Sequence, residues 1–274
     1  MPVATIAGQE IRAGLRNRWV VATTLLLGAL ALSLVLLGSA PTGTVGADPL
    51  SVVVVSLASL TIFLLPLIAL LLSFDSIVGE QERGTLTLLL SYPVARWQVV
   101  MGKFLGQAAI IAIATVLGYG AAAVALAVSA KIDPAAWAGF AGMIGSSVLL
   151  GADFVAIGSL ASILVRERAT AAGLAVGAWL FFVILYDTAL LGILVADQGK
   201  TVTAGVLDVL LLFNPADAYR LFNMTVTEGA SVYSGMAGLG EAGRLGPGLL
   251  LAALVGWVVL PLVLAVLIFR RKQI

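Results

Sequence analysis

Long apolar runs, separated by short polar breaks, make up most of the chain. Six of them reach the roughly 20 residues that a helix needs to cross a bilayer core: Trp19 to Leu37, Val52 to Leu72, Phe104 to Val128, Trp137 to Val165, Ala171 to Val195 and Gly248 to Phe269. The pattern predicts an all-α, polytopic membrane protein with six transmembrane helices, a permease domain over 19–274 and a short interfacial segment over 1–18. In that first segment Ala4, Ala7, Ile11 and Leu15 recur near helical spacing, with Gln9, Arg12 and Arg16 off the stripe, as in a helix lying on a membrane surface.

Two breaks are long enough to carry structure of their own. Residues 75–103 are too polar at their start, and too interrupted by Gly84 and Pro93, to span; yet Thr85 to Leu90 is apolar enough to need a partner surface. In the other break, 196–247, Val202 to Phe213 is an apolar run of twelve, too short to cross and suited to the interface. Asn214-Pro215 ends it, and Pro215 can open another short helix through Asp217, Tyr219 and Leu221. Glycine-rich sequence from Glu228 to Gly248 reads as an exposed loop.

Composition agrees with this reading. Hydrophobic residues are 61% of 274 and charged residues 11%, against about 25% charged in a soluble domain, so the surplus apolar surface must face lipid. The first run, Val20 to Leu37, has 18 residues, longer than the roughly 7 to 15 of a cleavable signal, and is expected to stay as an anchor. With neither cysteine nor histidine, Ser-His and Cys-His catalysis, HExxH zinc chemistry and His-ligated haem are excluded. A net charge of +1 gives no argument for nucleic acid.

The placement of charge says more than its sum. One set of flanks holds Arg12, Arg16, Arg18, Arg83, Arg96, Lys103, Arg166, Arg168, Arg270, Arg271 and Lys272; the other holds only Lys131, Lys200, Arg220 and Arg244. The excess puts the first set, and both termini, on the cytoplasmic side. Asp48, Asp133, Asp197, Asp208, Asp217, Glu228 and Glu241 make the outer side mildly acidic.

Several residues carry candidate chemistry. Asp153 and Asp187 fall inside the fourth and fifth spans, where a carboxylate costs roughly 2.5–3.5 kcal/mol on insertion scales, so each is expected to face the bundle interior. They would serve a substrate path, proton relay or gate, or hydrogen-bond to Ser146, Ser147, Tyr186 or Thr188 to fix packing. Gly142, Ser146, Ser147 and Gly151 in span four, and Gly173 and Gly177 in span five, are small residues that favour close helix contact. Met143, Met224 and Met236 are soft ligands suited to Cu(I), but scattered in this way they read as packing or loop residues. Gly238 to Gly243 matches GxGxxG without the strand and helix that a dinucleotide site requires.

The run GEQERGTLTLLLSYPVARWQVVMGKFLG, residues 79–106, resembles the segment between the second and third spans of type-two ATP-binding-cassette exporter permeases. LRNRW at Leu15 to Trp19, PLIALLLSFDSIVGE at Pro66 to Glu80 and NPADAYRL at Asn214 to Leu221 are similar to the permeases that serve copper-centre maturation of nitrous oxide reductase. This resemblance implies a coupling helix that touches a separate ATPase subunit, present in two copies and binding ATP and Mg, with no cofactor, metal or catalytic residue on this chain. The implied coupling residues are Glu80, Glu82, Arg83, Gly84, Thr85, Leu86, Leu88, Leu89 and Arg96. It further implies a second copy of the chain and a periplasmic NosD-like accessory protein, met through Asn214, Pro215, Asp217, Tyr219 and Arg220, in a bacterial inner membrane. Two other classes fit the residues alone: an ion-coupled secondary carrier using Asp153 and Asp187, and a membrane scaffold that transports nothing.

Overall fold

A computed structural model describes residues 2–38, 49–129, 134–197, 202–226 and 245–272. Every regular element among these residues is helical. Residues 227–244 of the glycine-rich sequence, with Met236, Glu228, Glu241, Arg244 and the GxGxxG match, lie outside the described residues, as do Asp48, Lys131, Asp133 and Lys200.

Five helical stretches are long and apolar enough to cross a membrane. They are α3 (Pro49–Ser73), α6 (Arg96–Ser129), α7 (Pro134–Leu164), α12 (Pro247–Arg271), and a composite of α8 (Arg168–Leu180), one π turn (Phe181–Leu185) and α9 (Tyr186–Asp197). A sixth, α2 (Arg18–Gly38), follows α1 (Pro2–Leu15) across a bend of 67°. At 34 residues α6 is about 50 Å long by helical rise, well beyond a hydrocarbon core of about 30 Å. Its first two turns, which carry Arg96 and Lys103, pack against α1 and α12 at one end of the bundle. We call this end, with Arg83, Arg166, Arg168 and Arg270 to Lys272, the basic end.

At the centre stands α7, packed against α3, α12, α6, α8 and α11 (Pro215–Val226). Small residues allow the approach. A Cβ at Gly158 would sit 3.1 Å from Ser73 Cβ, and one at Gly151 would sit 3.4 Å from Leu65 Cδ2, so the span-four small residues make contacts within one bundle. Span five behaves differently: Gly173 and Gly177 are exposed, and among the described residues no neighbouring atom beyond the helix itself lies within 4 Å of a Cβ built there.

The N-terminal helix α1 packs on the first half of α6. Gly102 and Gly106, four residues apart, bring the two backbones together: a Cβ at Gly102 would stand 2.7 Å from Ile6 Cβ and one at Gly106 would stand 3.0 Å from the Ala7 carbonyl oxygen.

Candidate functional site

The segment expected to dock on a partner folds as two short helices, α4 (Val78–Glu82) and α5 (Thr85–Ser91). Gly84 separates them at φ 72°, a left-handed conformation that glycine adopts without steric cost. Behind the pair lies a small apolar core in which Ile77 and Leu86 meet Val99, Val100, Ile163, Ala265 and Phe269. Ser162 Oγ accepts from the backbone N–H groups of Ile77 and Val78, each at 3.0 Å, and pins the start of α4 to α7.

Charged side chains fasten the rest. Lys103 Nζ donates to Glu10 Oε1 at 2.6 Å and to Glu80 Oε1 at 2.7 Å, joining α1, α4 and α6 through one buried ammonium. Glu82 accepts the backbone N–H of Arg168 at 2.7 Å, and the Arg168 guanidinium forks onto Asp75 at 2.6 and 2.8 Å. Arg96 Nη1 donates to the carbonyls of Phe269, Arg270 and Lys272 at 2.9, 3.3 and 2.5 Å. Lys272 Nζ in turn donates to Ile163 and Val165 carbonyls, both at 2.8 Å. The two cations thus satisfy carbonyls that the ends of α12 and α7 leave without intrahelical donors.

These bonds divide the expected coupling residues. Glu80, Glu82 and Arg96 are engaged with other parts of the chain, and Leu86 is wholly buried, because a short helix packed on a bundle must turn one face inward. Arg83, Gly84, Thr85 and Leu88 are exposed, Leu88 at 67%, and Leu89 is half-buried. Thr87, Ser91, Tyr92 and Trp97 are exposed as well. Glu10, Asp75, Ser162, Arg168 and Lys272, which hold it from behind, are absent from the sequence-based expectation.

The far end holds a second polar construction. Here α10 (Ala204–Leu212) leads into α11, which is inserted among α3, α7, α12 and the π turn rather than lying on the outside. Tyr186 Oη donates to the Leu210 carbonyl at 2.6 Å and Trp257 Nε1 to that of Leu212 at 3.1 Å. Asn214 Nδ2 donates to the Phe182 carbonyl in the π turn and to Asp217 Oδ2, both at 2.9 Å. Tyr219 Oη is 2.9 Å from Ser147 Oγ, and Asn223 Nδ2 donates to Ser146 Oγ at 3.1 Å. Thr61 and Tyr119 share a neighbouring buried bond of 2.6 Å.

Asn214, Pro215, Asp217 and Tyr219, expected at an outer partner surface, are therefore buried against the bundle. Their polar groups are too well matched to span-four and span-five partners to stay in water. Arg220 is the most accessible of the set and bridges two carboxylates, Asp217 Oδ1 at 2.8 Å and Asp187 Oδ2 at 2.9 Å. Burial pushes the Asp217 carboxyl up to about 7, against the pull of Arg220. Asp187 thus pairs with Arg220 instead of Tyr186, Thr188 or the span-four serines. Asp153 is fully buried on α7 and has no hydrogen-bond partner among the described residues.

A helical bundle of several spans, with an exposed, rigidly backed short helix at its basic end, is the build of a multi-pass membrane permease subunit. The chain belongs to the ABC-2 transporter family: the model described as "ABC-2 family transporter protein" matches residues 4–274. It is 43% identical over 273 residues to a Stutzerimonas stutzeri protein named "Probable ABC transporter permease protein NosY", covering 98% of each chain. A Pseudomonas aeruginosa protein of the same name is 45% identical over 277 residues, covering 100% of each. The chain is accordingly the permease subunit of an ABC transporter, and membership of this family implies an ATPase partner and a dimeric arrangement.

Proposed function

We propose that this permease couples ATP hydrolysis by a separate subunit to export, or to delivery on the periplasmic side, in copper-centre maturation of nitrous oxide reductase. Two copies of the chain engage two ATPase subunits, which bind ATP and Mg, at the cytoplasmic face of a bacterial inner membrane. The contact is made by the exposed face of α5 and its flanks: Arg83, Gly84, Thr85, Leu88, Leu89, Tyr92 and Trp97.

One observation carries this reading. The solvent-facing side of α5 is apolar at Leu88, while its opposite side packs Leu86 into the core formed with α6, α7 and α12, and the preceding α4 is tied to α1 and α6 through the Lys103 bridge. Force applied at α5 would therefore move the bundle rather than bend a loop. Glu80, Glu82, Leu86 and Arg96 serve coupling from behind the contact. The maturation role rests on the name shared by the two relatives. A NosD-like periplasmic partner would meet the outer loop near Arg220, with Asn214, Pro215, Asp217 and Tyr219 transmitting from beneath. Copper is cargo or the partner's ligand, not a cofactor of this chain.

The test is co-purification with an ABC ATPase subunit expressed together with the chain. Wild type retains the ATPase in detergent, whereas Leu88→Asp with Thr85→Asp releases it while keeping the thermal midpoint of the bundle. Retention by the double variant at wild-type level would overturn the proposed contact.

A further inference from the structure

We propose that Arg12, Arg16 and Arg18 form a site for the headgroup of an anionic phospholipid, where α1 passes into the first span. The packed side of α1 fixes where these side chains stand. Ile6, Glu10 and Gly14 meet α6: Cβ atoms built at Gly102 and Gly106 would press on Ile6 and Glu10, and one at Gly14 would press on Ile110. Arg12 is two residues from both Glu10 and Gly14, about 160° around the helix from that contact, and it is exposed. Arg16 follows four residues later, in the turn that the Asn17 N–H closes by donating to the Gly14 carbonyl at 2.9 Å, and it is exposed as well. Arg18, also exposed, is the first residue of α2.

No acid offsets these charges. Glu10 is the one acidic residue of α1 and is committed to Lys103, while α2 has none. Among the described residues Lys103, Arg168 and Arg220 each have an ion pair, and Arg12, Arg16 and Arg18 have none. Like charges one helical turn apart repel, and an anion held between them relieves the repulsion. An apolar surface begins at the same place. Val21 and Leu25, three and seven residues on from Arg18, are 48% and 68% exposed and lie on its side of α2. Leu15, at the end of α1, is 50% exposed.

A phospholipid matches both parts at once. Its phosphate oxygens accept hydrogen bonds from guanidinium groups, and its acyl chains lie along Val21 and Leu25. The apolar stripe alone would suit any lipid; the preference for an anionic one comes from the three uncompensated charges. Each arginine held near an anionic leaflet is worth about fivefold in affinity. An acidic protein surface or a free phosphate ion would use the arginines and leave the adjoining stripe uncovered. The site lies wholly on the permease and is independent of what docks at α5.

The chain has no cysteine, so Ala13→Cys, exposed next to Arg12, takes a single fluorophore. The labelled full chain, without ATPase, is reconstituted in phosphatidylcholine bilayers. These contain either phosphatidylglycerol or phosphatidylcholine bearing a nitroxide quencher near the headgroup, at equal mole fraction. The phosphatidylglycerol quencher should bind several-fold more tightly, about fivefold for each arginine engaged, and Arg12→Gln with Arg16→Gln and Arg18→Gln should bring the two quenchers level. Equal quenching with the arginines intact, or a preference that survives their replacement, would overturn the site. Should the substituted chain fail to fold, about 1 M salt screens the same charges in the intact one, and an undiminished preference there counts against the assignment. Loss of the preference to inorganic phosphate at constant ionic strength would make this a free-anion site, and its loss on adding the ATPase subunit would give the face to that protein; either result overturns the lipid assignment.

Discussion

Lys103 Nζ lies 2.7 Å from Glu80 Oε1, and the same ammonium lies 2.6 Å from Glu10 on the N-terminal helix. Glu80 precedes the left-handed Gly84 by one turn, so this contact ties α4 to α6, the longest helix among the described residues, and to α1 at a single buried point. Removing one partner of such a group strands the others, which costs far more than the net worth of the pair. We expect Lys103→Met to lower stability by roughly 3 kcal/mol, the low end of the range for buried pairs because both glutamates are partly exposed. Adding Glu10→Gln and Glu80→Gln should recover part of the loss. Thermal unfolding in detergent measures both effects, and equal midpoints for single and triple variants would contradict them.

Leu86 and Leu88 are two residues apart on α5 and face opposite ways. Leu86→Ala should cost roughly 2–5 kcal/mol of stability, the range for a large buried aliphatic cut to alanine. Leu88→Ala should change stability by less than about 0.5 kcal/mol yet weaken ATPase capture. Paired melting and pull-down measurements separate the two roles.

Gly106 has no room for a side chain: a Cβ would press on Glu10 and on the Ala7 carbonyl. Gly106→Val should push α1 off α6 at a cost of roughly 1–3 kcal/mol, as overpacking generally does. Faster proteolysis within residues 2–15 reports the detachment.

Asp217 gives a pH dependence of defined sign. Its carboxyl rises from 3.8 to about 7 on folding, chiefly through burial. The folded chain therefore keeps a proton that the unfolded chain has lost, and stability falls as pH rises between these values, then levels off. Asp217→Asn should flatten that slope. Melting temperatures at pH 5, 6, 7 and 8 check it; a wild-type midpoint that climbs with pH would contradict the assignment.

The spans were legible because crossing a bilayer demands a long apolar run whatever its neighbours do. Within residues 75–103, the break at Gly84 was also legible. Which side of α5 turns inward was not: Leu86 and Leu88 are alike in composition, and only the tertiary position of Val99, Ile163 and Phe269 assigns the inner face. Long-range polar pairs were hidden for a related reason. Lys103 and Glu10 are 93 residues apart, and Arg96 and Phe269 are 173 apart, so no local period links them. The insertion of α11 left one trace, the polar residues Asp217, Arg220 and Asn223 at three-residue spacing. Composition made that stretch resemble an outer surface helix, while the bonds to Ser146, Ser147 and Phe182 keep it inside.

The most direct test of the docking account is site-specific photocrosslinking from the exposed face of α5 in native membranes. A photoreactive residue at Leu88 or Tyr92 should crosslink the ATPase subunit, and one at Ala171, buried on α8, should not. Adducts from Leu88 and Tyr92 with lipid alone, in cells that contain the ATPase, would contradict the account.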